Sequence, residues 1–164
     1  KALAAKATDE AKRMPGFSLI VAMVAHAEGN LEEARQANAE AKRLALASLL
    51  QRPGNPEALG ELAFAEAALG RKEEALRHAR HATEILPPSA DALAGPMCEN
   101  RLAQVLAVTG DRDGAFDQLS KLVKLPFGLN YGDLKLNPMW DDLRDDPRFD
   151  RILAESALPI ATDG

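Results

Sequence analysis

An internal repeat constrains the fold of this chain more than any other feature of its sequence. One pattern, a glycine followed by polar residues and by an alanine five positions after the glycine, occurs at residues 29–34, 70–75 and 110–115. The second glycine follows the first by 41 residues, and the third follows the second by 40. Self-similarity at a period of this size is typical of chains built from stacked supersecondary units. The sequence therefore predicts at least three similar units.

The residues of the pattern predict that each unit is a helical hairpin. A glycine directly after a helix readily takes the left-handed conformation that ends the helix. The alanine then lies early in the second helix, where its small side chain lets the first helix cross closely. Aromatic residues make up only 4% of the chain, and alanine, which has the highest helix propensity, fills much of the gap. We therefore predict an all-α fold, an α-solenoid in which each hairpin buries its open face on the next.

The middle unit carries the pattern best. Counted from Pro56, its small and apolar residues stand at Leu59, Leu62, Ala63, Gly70, Ala75, Ala79, Ala82 and Pro87. This spacing resembles the tetratricopeptide repeat (TPR), whose unit has about 34 residues. The sequence departs from that family at Leu59, Glu66 and Ala79, where tryptophan, tyrosine and a large aromatic residue are usual. A HEAT-like array, with a period of about 40 residues, is the alternative.

The resemblance implies one TPR-type domain over residues 1–164. Its parts are the end of a partial hairpin, three repeats, a C-terminal cap and a tail, at residues 1–14, 15–55, 56–88, 89–125, 126–155 and 156–164. Because the observed period exceeds that of the family, extra residues must be accommodated. We expect a lengthened second helix at 31–50 and a second insertion at 88–95, where Ser89 or Asp91 caps a helix that Pro96 breaks or kinks.

The C-terminal region has a different pattern. Residues 125–136 contain one proline, one asparagine and two glycines, which predicts a loop. Asn137 and Asp146 are each followed by proline, and a capping residue followed by a first-turn proline predicts the start of a helix. Two short helices are therefore expected to cover the last repeat with their apolar residues, which are Trp140, Leu143, Phe149, Ile152 and Leu153.

Residues 89–153 resemble the TPR tail of large bacterial signalling proteins. In those proteins TPR arrays follow a serine/threonine kinase, an adenylate cyclase or a winged-helix DNA-binding domain. The resemblance implies a regulatory or protein-binding domain and places no catalytic residue on this chain. Because the pattern of residues 1–13 is that of a helix already under way, with no capping residue before it, we expect a fragment of a longer protein. A cytoplasmic location is favoured, and a periplasmic one stays open.

Composition and motifs argue against several other functions. The net charge of −5 disfavours binding to nucleic acid, which requires a basic surface. The single cysteine, Cys98, excludes an internal disulfide, and no apolar run approaches the ~20 residues of a membrane span. No phosphate-binding loop, nucleophile motif or metal-ligand spacing is present in the sequence. We therefore expect neither an enzyme nor a cofactor.

The TPR resemblance also implies a partner site. In that family the first helix of each hairpin lines a concave groove, and the matching positions are Leu19, Met23, His26, Phe64, Met97, Asn100 and Gln104. This set is apolar with two amides, which suits a hydrophobic peptide or helix of a protein partner. The same residues could instead pack internally. A ligand-sensing domain that controls an attached output domain and a self-associating module are the functional alternatives.

A basic cluster lies on the second helix of the middle repeat. It consists of Arg77, His78, Arg80 and His81. A solvated outer surface is the simplest interpretation, and a contact with an anionic partner is the functional one. The two histidines lie three residues apart, but no third metal ligand is evident near them. The aspartates at 141–146 are expected to cap helices and face solvent.

Overall fold

A computed structural model of the chain describes residues 14–157. These residues form nine helices and no β-strand, which confirms the all-α prediction. The chain divides into two compact units, Lys1–Ala82 and Thr83–Gly164. The predictions for residues 1–13 and for the end of the tail lie outside the described residues. The prediction of a single domain stays a prediction.

The described part of the first unit consists of successive helices that pack against their neighbours. α1 packs against α2, α2 packs against α3, and α1 also contacts α3. The fourth helix, α4, has its last turn beyond Ala82. The helices are α1 (Pro15–Ala27), α2 (Leu31–Gln51), α3 (Pro56–Ala68) and α4 (Lys72–Ile85).

Local signals set the ends of these helices. Gly29 and Gly70 have φ values of 76° and 78°, so the predicted left-handed conformation is confirmed at both positions. Each is followed by a backbone bond that closes the helix end; Asn30 N donates to Ala25 O at 2.8 Å in the first. The Asn55 side chain accepts hydrogen bonds from Glu57 N and Ala58 N at the start of α3.

The second helix is longer than its neighbours, as predicted. α2 has 21 residues, whereas α1 and α3 have 13 each. At 1.5 Å per residue the difference is about 12 Å of helix. No residue after Ala45 is fully buried in α2, and Leu50 is 85% exposed. The extra residues of the first repeat therefore lengthen one helix rather than a loop.

The core of the first unit is rich in alanine. Of its sixteen buried apolar residues, twelve are alanine, and only Leu59, Leu62, Leu19 and Phe64 are larger. Along α2 the buried face is Ala34, Asn38, Ala41 and Ala45. Small side chains leave little volume between helix backbones, so these helices pack at short distances.

The second unit contains two long helices and three short ones. α5 packs against α6, the 3-10 helix packs against α5, and α8 contacts both α6 and α7. The elements are α5 (Ala94–Val108), α6 (Arg112–Leu122), α7 (Tyr131–Leu136), a 3-10 helix (Pro138–Leu143) and α8 (Pro147–Ser156).

Two sequence-based expectations for this unit are corrected. Pro96 does not break the helix, because α5 begins at Ala94 and continues through it. In the first turn the missing proline N–H has no intrahelical partner to lose. Residues 131–136 form a helix instead of a loop. Asn130 and Asp133 make a reciprocal capping box at its start, which outweighs the glycine at 132.

The two predicted helix starts at the C-terminal end are confirmed. The Asn137 side chain accepts from Met139 N at 3.0 Å, and the Asp146 side chain accepts from Arg148 N at 2.9 Å. The first start gives a 3-10 helix and the second an α-helix. Of their predicted apolar anchors, Leu153 is half-buried and the others are buried: Trp140, Leu143, Phe149 and Ile152.

Candidate interaction surfaces

In the first unit the predicted groove residues differ in exposure. Leu19 and Phe64 are buried, at 3% and 4% of their surface, so little of either side chain is available to a partner. Met23 is half-buried, and His26 is exposed. Burial of the first two follows from the apolar packing of α1 and α3, which repeat position alone does not reveal.

An exposed apolar stripe on α1 was missed by the sequence analysis. Ile20 and Val24 are 51% and 40% exposed and lie one helical turn apart. α1 is apolar on nearly all sides, from Phe17 to Ala25, so part of its apolar surface lies outside the core that it forms with α2 and α3. That all-round apolar character was the signal available in the sequence.

In the second unit the predicted groove residues share one face of α5. Met97 is 65% exposed, whereas Asn100 and Gln104 are half-buried. Gln104 accepts a hydrogen bond from Arg101 at 2.8 Å. Val108, exposed and one turn further on, extends the face. The result is a surface with apolar side chains at both ends and amides between them.

The basic residues of α4 do not form one surface. Arg77, Arg80 and His81 are exposed, but His78 is half-buried and turned toward α3. Its Nδ1 lies 2.8 Å from Oε2 of Glu66. His78 is therefore engaged inside the unit, and the predicted anionic contact is left to the other three side chains.

Glu66 is a buried carboxylate that contacts two partly buried side chains from neighbouring helices. Its own side chain is 5% exposed, and Lys42 Nζ donates to its Oε1 at 2.9 Å while His78 occupies its Oε2. We call Lys42, Glu66 and His78 the three-helix charge cluster, because they come from α2, α3 and α4. The sequence analysis noted Glu66 only as a departure from the TPR pattern; its carboxylate on an alanine-rich face was the signal.

A second charged network joins α6 to the C-terminal helices. The Arg112 guanidinium donates to Asp145 at 2.6 Å, and Arg148 donates to Asp113 at 2.6 Å and to Asp146 at 2.8 Å. Arg148 also lies over the Phe116 ring, 4.2 Å from its centroid. Asp145 thus pairs with Arg112, whereas Asp146 both pairs with Arg148 and caps α8.

Three side chains of this network have shifted pKa values, and that of Arg112 is raised by its hydrogen bond to Asp145. Hydrogen bonds from Arg148 lower the pKa of Asp146 to about 2. The same contact, together with Asp113, raises the pKa of Arg148. Asp146 therefore stays ionised well into acid, so its contact with Arg148 in the first turn of α8 persists over a wide pH range.

Residues 14–157 contain neither a metal-binding cluster nor a membrane-spanning helix. No group of three histidine, cysteine, aspartate or glutamate side chains is placed to hold a metal ion. No helix in that range has both the length and the apolar character needed to cross a membrane. Cys98 is buried.

Comparison with known proteins found no relative. No protein-family model matches the chain, and neither a curated protein nor a solved structure matches it. The resemblance to the TPR family therefore depends on the residues of this sequence alone.

Proposed function

We propose that this chain is a protein-binding module of TPR type, a scaffold that presents α1 and α5, the first helices of its first and third hairpins, to a partner protein. The observation that carries this proposal is the exposure of apolar side chains on those helices. Ile20 and Val24 are exposed on α1, and Met97 and Val108 are exposed on α5. Exposed apolar side chains grouped on one helix face are typical of surfaces that another molecule covers.

The chemistry of these faces favours a helical or extended peptide with apolar anchors. Methionine is unbranched and adapts to different shapes, so Met97 suits a variable apolar partner. The half-buried amides of Asn100 and Gln104 would add polar contacts beside it. A helix laid against such a face uses anchors spaced three or four residues apart. The likeness to bacterial signalling tails supports a regulatory arm of a larger protein.

The proposal is tested by selecting peptides from a displayed library on the full chain and measuring their affinities. We expect Met97→Glu with Val108→Glu, or Ile20→Glu with Val24→Glu, to weaken the selected peptides about tenfold or more. Leu136→Glu and Leu31→Glu are matched controls, since both leucines are exposed outside these faces, and each should leave affinity within twofold. Equal binding to wild type and both double variants would refute the proposal.

Self-association is the second candidate. Leu46 and Leu50 lie one turn apart on the projecting end of α2, and both are exposed. Two such ends could pair as helices. Sedimentation equilibrium at several concentrations tests this; a monomer mass at all of them excludes it, and loss of a dimer in Leu50→Glu supports it. The ligand-sensing alternative stays a prediction.

A further inference from the structure

We infer that the three-helix charge cluster fixes the axial register of α2, α3 and α4, a role beyond the proposed binding function. Each of the two oxygens of Glu66 has one partner, and the partners come from the helices before and after α3. An axial position of α3 that pairs both oxygens must therefore suit Lys42 of α2 and His78 of α4 at the same time. Sliding α2 by one turn along α3 would move Lys42 by about 5.4 Å and break its contact.

The apolar packing around the cluster discriminates poorly between registers. The buried residues of α2 are three alanines and one asparagine, and the buried residues of α3 and α4 include further alanines, among them Ala63, Ala79 and Ala82. Methyl groups repeated at helical spacing fit one another almost equally well when one helix shifts. Larger side chains interlock in one arrangement only. In an alanine-rich interface, a polar contact is thus the feature best able to select one arrangement.

The burial of Glu66 gives the contact its selectivity. A carboxylate removed from water is strongly unfavourable unless it is paired, so any register that leaves Glu66 unpaired is penalised. Lys42 and His78 retain partial exposure, at 20% and 23% of their side chains, and can reach solvent by themselves. The penalty for a wrong register therefore falls mainly on Glu66. A single buried polar group can specify register in other helical assemblies in the same way.

The experiment compares partial with complete removal of the cluster in the full chain. We expect Lys42→Met with His78→Phe to lower Tm by about 10 °C, because Glu66 is left without its two partners. Adding Glu66→Leu to that double variant should raise Tm again, since the unpaired carboxylate is gone. The triple variant should then give multiple or broadened amide resonances for α2–α4 where the wild type gives one set.

An ion pair elsewhere on α2 provides the control for these variants. Glu40 and Arg43 form an exposed ion pair on α2 at 2.6 Å, and Glu40→Gln with Arg43→Gln should change neither Tm nor the spectrum appreciably. A triple variant with one sharp set of resonances and the wild-type contacts between α2 and α3 would overturn the inference. So would a triple variant that folds but is less stable than the double.

If the triple variant does not fold, the energetic coupling between two single substitutions tests the inference instead. Lys42→Met and His78→Phe are combined in a double-mutant cycle. A coupling above threefold in the unfolding equilibrium constant supports a cluster that acts as one unit. A coupling of threefold or less means that the two contacts are independent, and the inference is then abandoned.

Discussion

The two compact units differ in the size of the apolar side chains that they bury and in the burial of their charged contacts. The buried apolar residues of the first unit are mostly alanine, whereas those of the second include only two alanines among fifteen and contain Trp140, Phe149 and Phe116. The charged contacts differ correspondingly. The first unit buries its charge cluster between helices, while the second has exposed ion pairs around its large apolar core.

We infer that either large interlocking side chains or a buried polar contact can select one arrangement of packed helices. Where large side chains interlock, as around Trp140, charge can stay at the surface and contribute little to specificity. Where methyl groups leave the helices free to slide, a buried carboxylate such as Glu66 supplies the missing selectivity. Substitutions in each unit test this difference through the stability that they remove.

Removal of a large side chain from the second unit should have the largest effect. Trp140 is fully buried on the 3-10 helix. We expect Trp140→Ala to reduce the free energy of unfolding by about 3–5 kcal/mol, through lost apolar burial and the cavity left behind. Urea unfolding followed by circular dichroism measures the change, since the variant lacks the only tryptophan. A loss below about 1 kcal/mol would mean that the 3-10 helix is not part of the core.

Addition of volume should be the damaging change in the first unit. Ala75 is fully buried in α4, so Ala75→Leu is expected to destabilise by about 1–3 kcal/mol through overpacking. Ala39→Leu on the exposed face of α2 is the matched control and should be nearly neutral. The readout is again the urea midpoint. Equal effects of the two substitutions would contradict the close packing of α4.

A smaller effect is expected at the turn between α3 and α4. Gly70 has φ of 78°, and a Cβ added there would meet no atom within 4 Å. Gly70→Ala should therefore cost only the conformational preference, about 1 kcal/mol. In the second unit a Cβ on Gly128 would overlap the Leu122 carbonyl oxygen, so Gly128→Ala should cost clearly more. Thermal unfolding of both variants tests this order.

The smallest effect concerns the ion pairs of the second unit and depends on pH. Folding lowers the pKa of Asp146 from 3.8 to about 2, so its contribution is complete above pH 4 and is lost as the pH falls through about 2. Asp146→Asn keeps a capping side chain but no charge. We expect its stability deficit at pH 6 to shrink between pH 4 and 2. A deficit that is constant over that interval would assign it to the cap alone.

The sequence predicted the helices well because their signals are local. Glycine at 29 and 70, asparagine at 137 and aspartate at 146 act on their own backbone neighbourhood, and the structure confirms each of these predictions. The helix at Tyr131–Leu136 was missed because glycine and proline nearby were given more weight than the capping box. Even there, the deciding interaction spans only three residues.

The candidate surfaces were less predictable. Repeat position identifies which side chains share a helix face, but it does not reveal which other helix covers that face. Phe64 and Leu19 are buried for this reason, although both were expected in a groove. His78 belongs to a predicted surface cluster by sequence and to an internal contact in space, because its partner Glu66 is twelve residues away on another helix.

The length of α2 has a consequence for motion within the first unit. Its first four turns are anchored by buried residues from Ala34 to Ala45, while its remaining turns to Gln51 have none fully buried. Opening those last turns breaks backbone bonds without exposing core. One continuous helix should thus display two rates of amide exchange, slow where neighbours hold it and fast toward Gln51. The N-terminal part of this helix therefore belongs to the packed core, whereas its C-terminal turns can open locally without unfolding the rest of the unit.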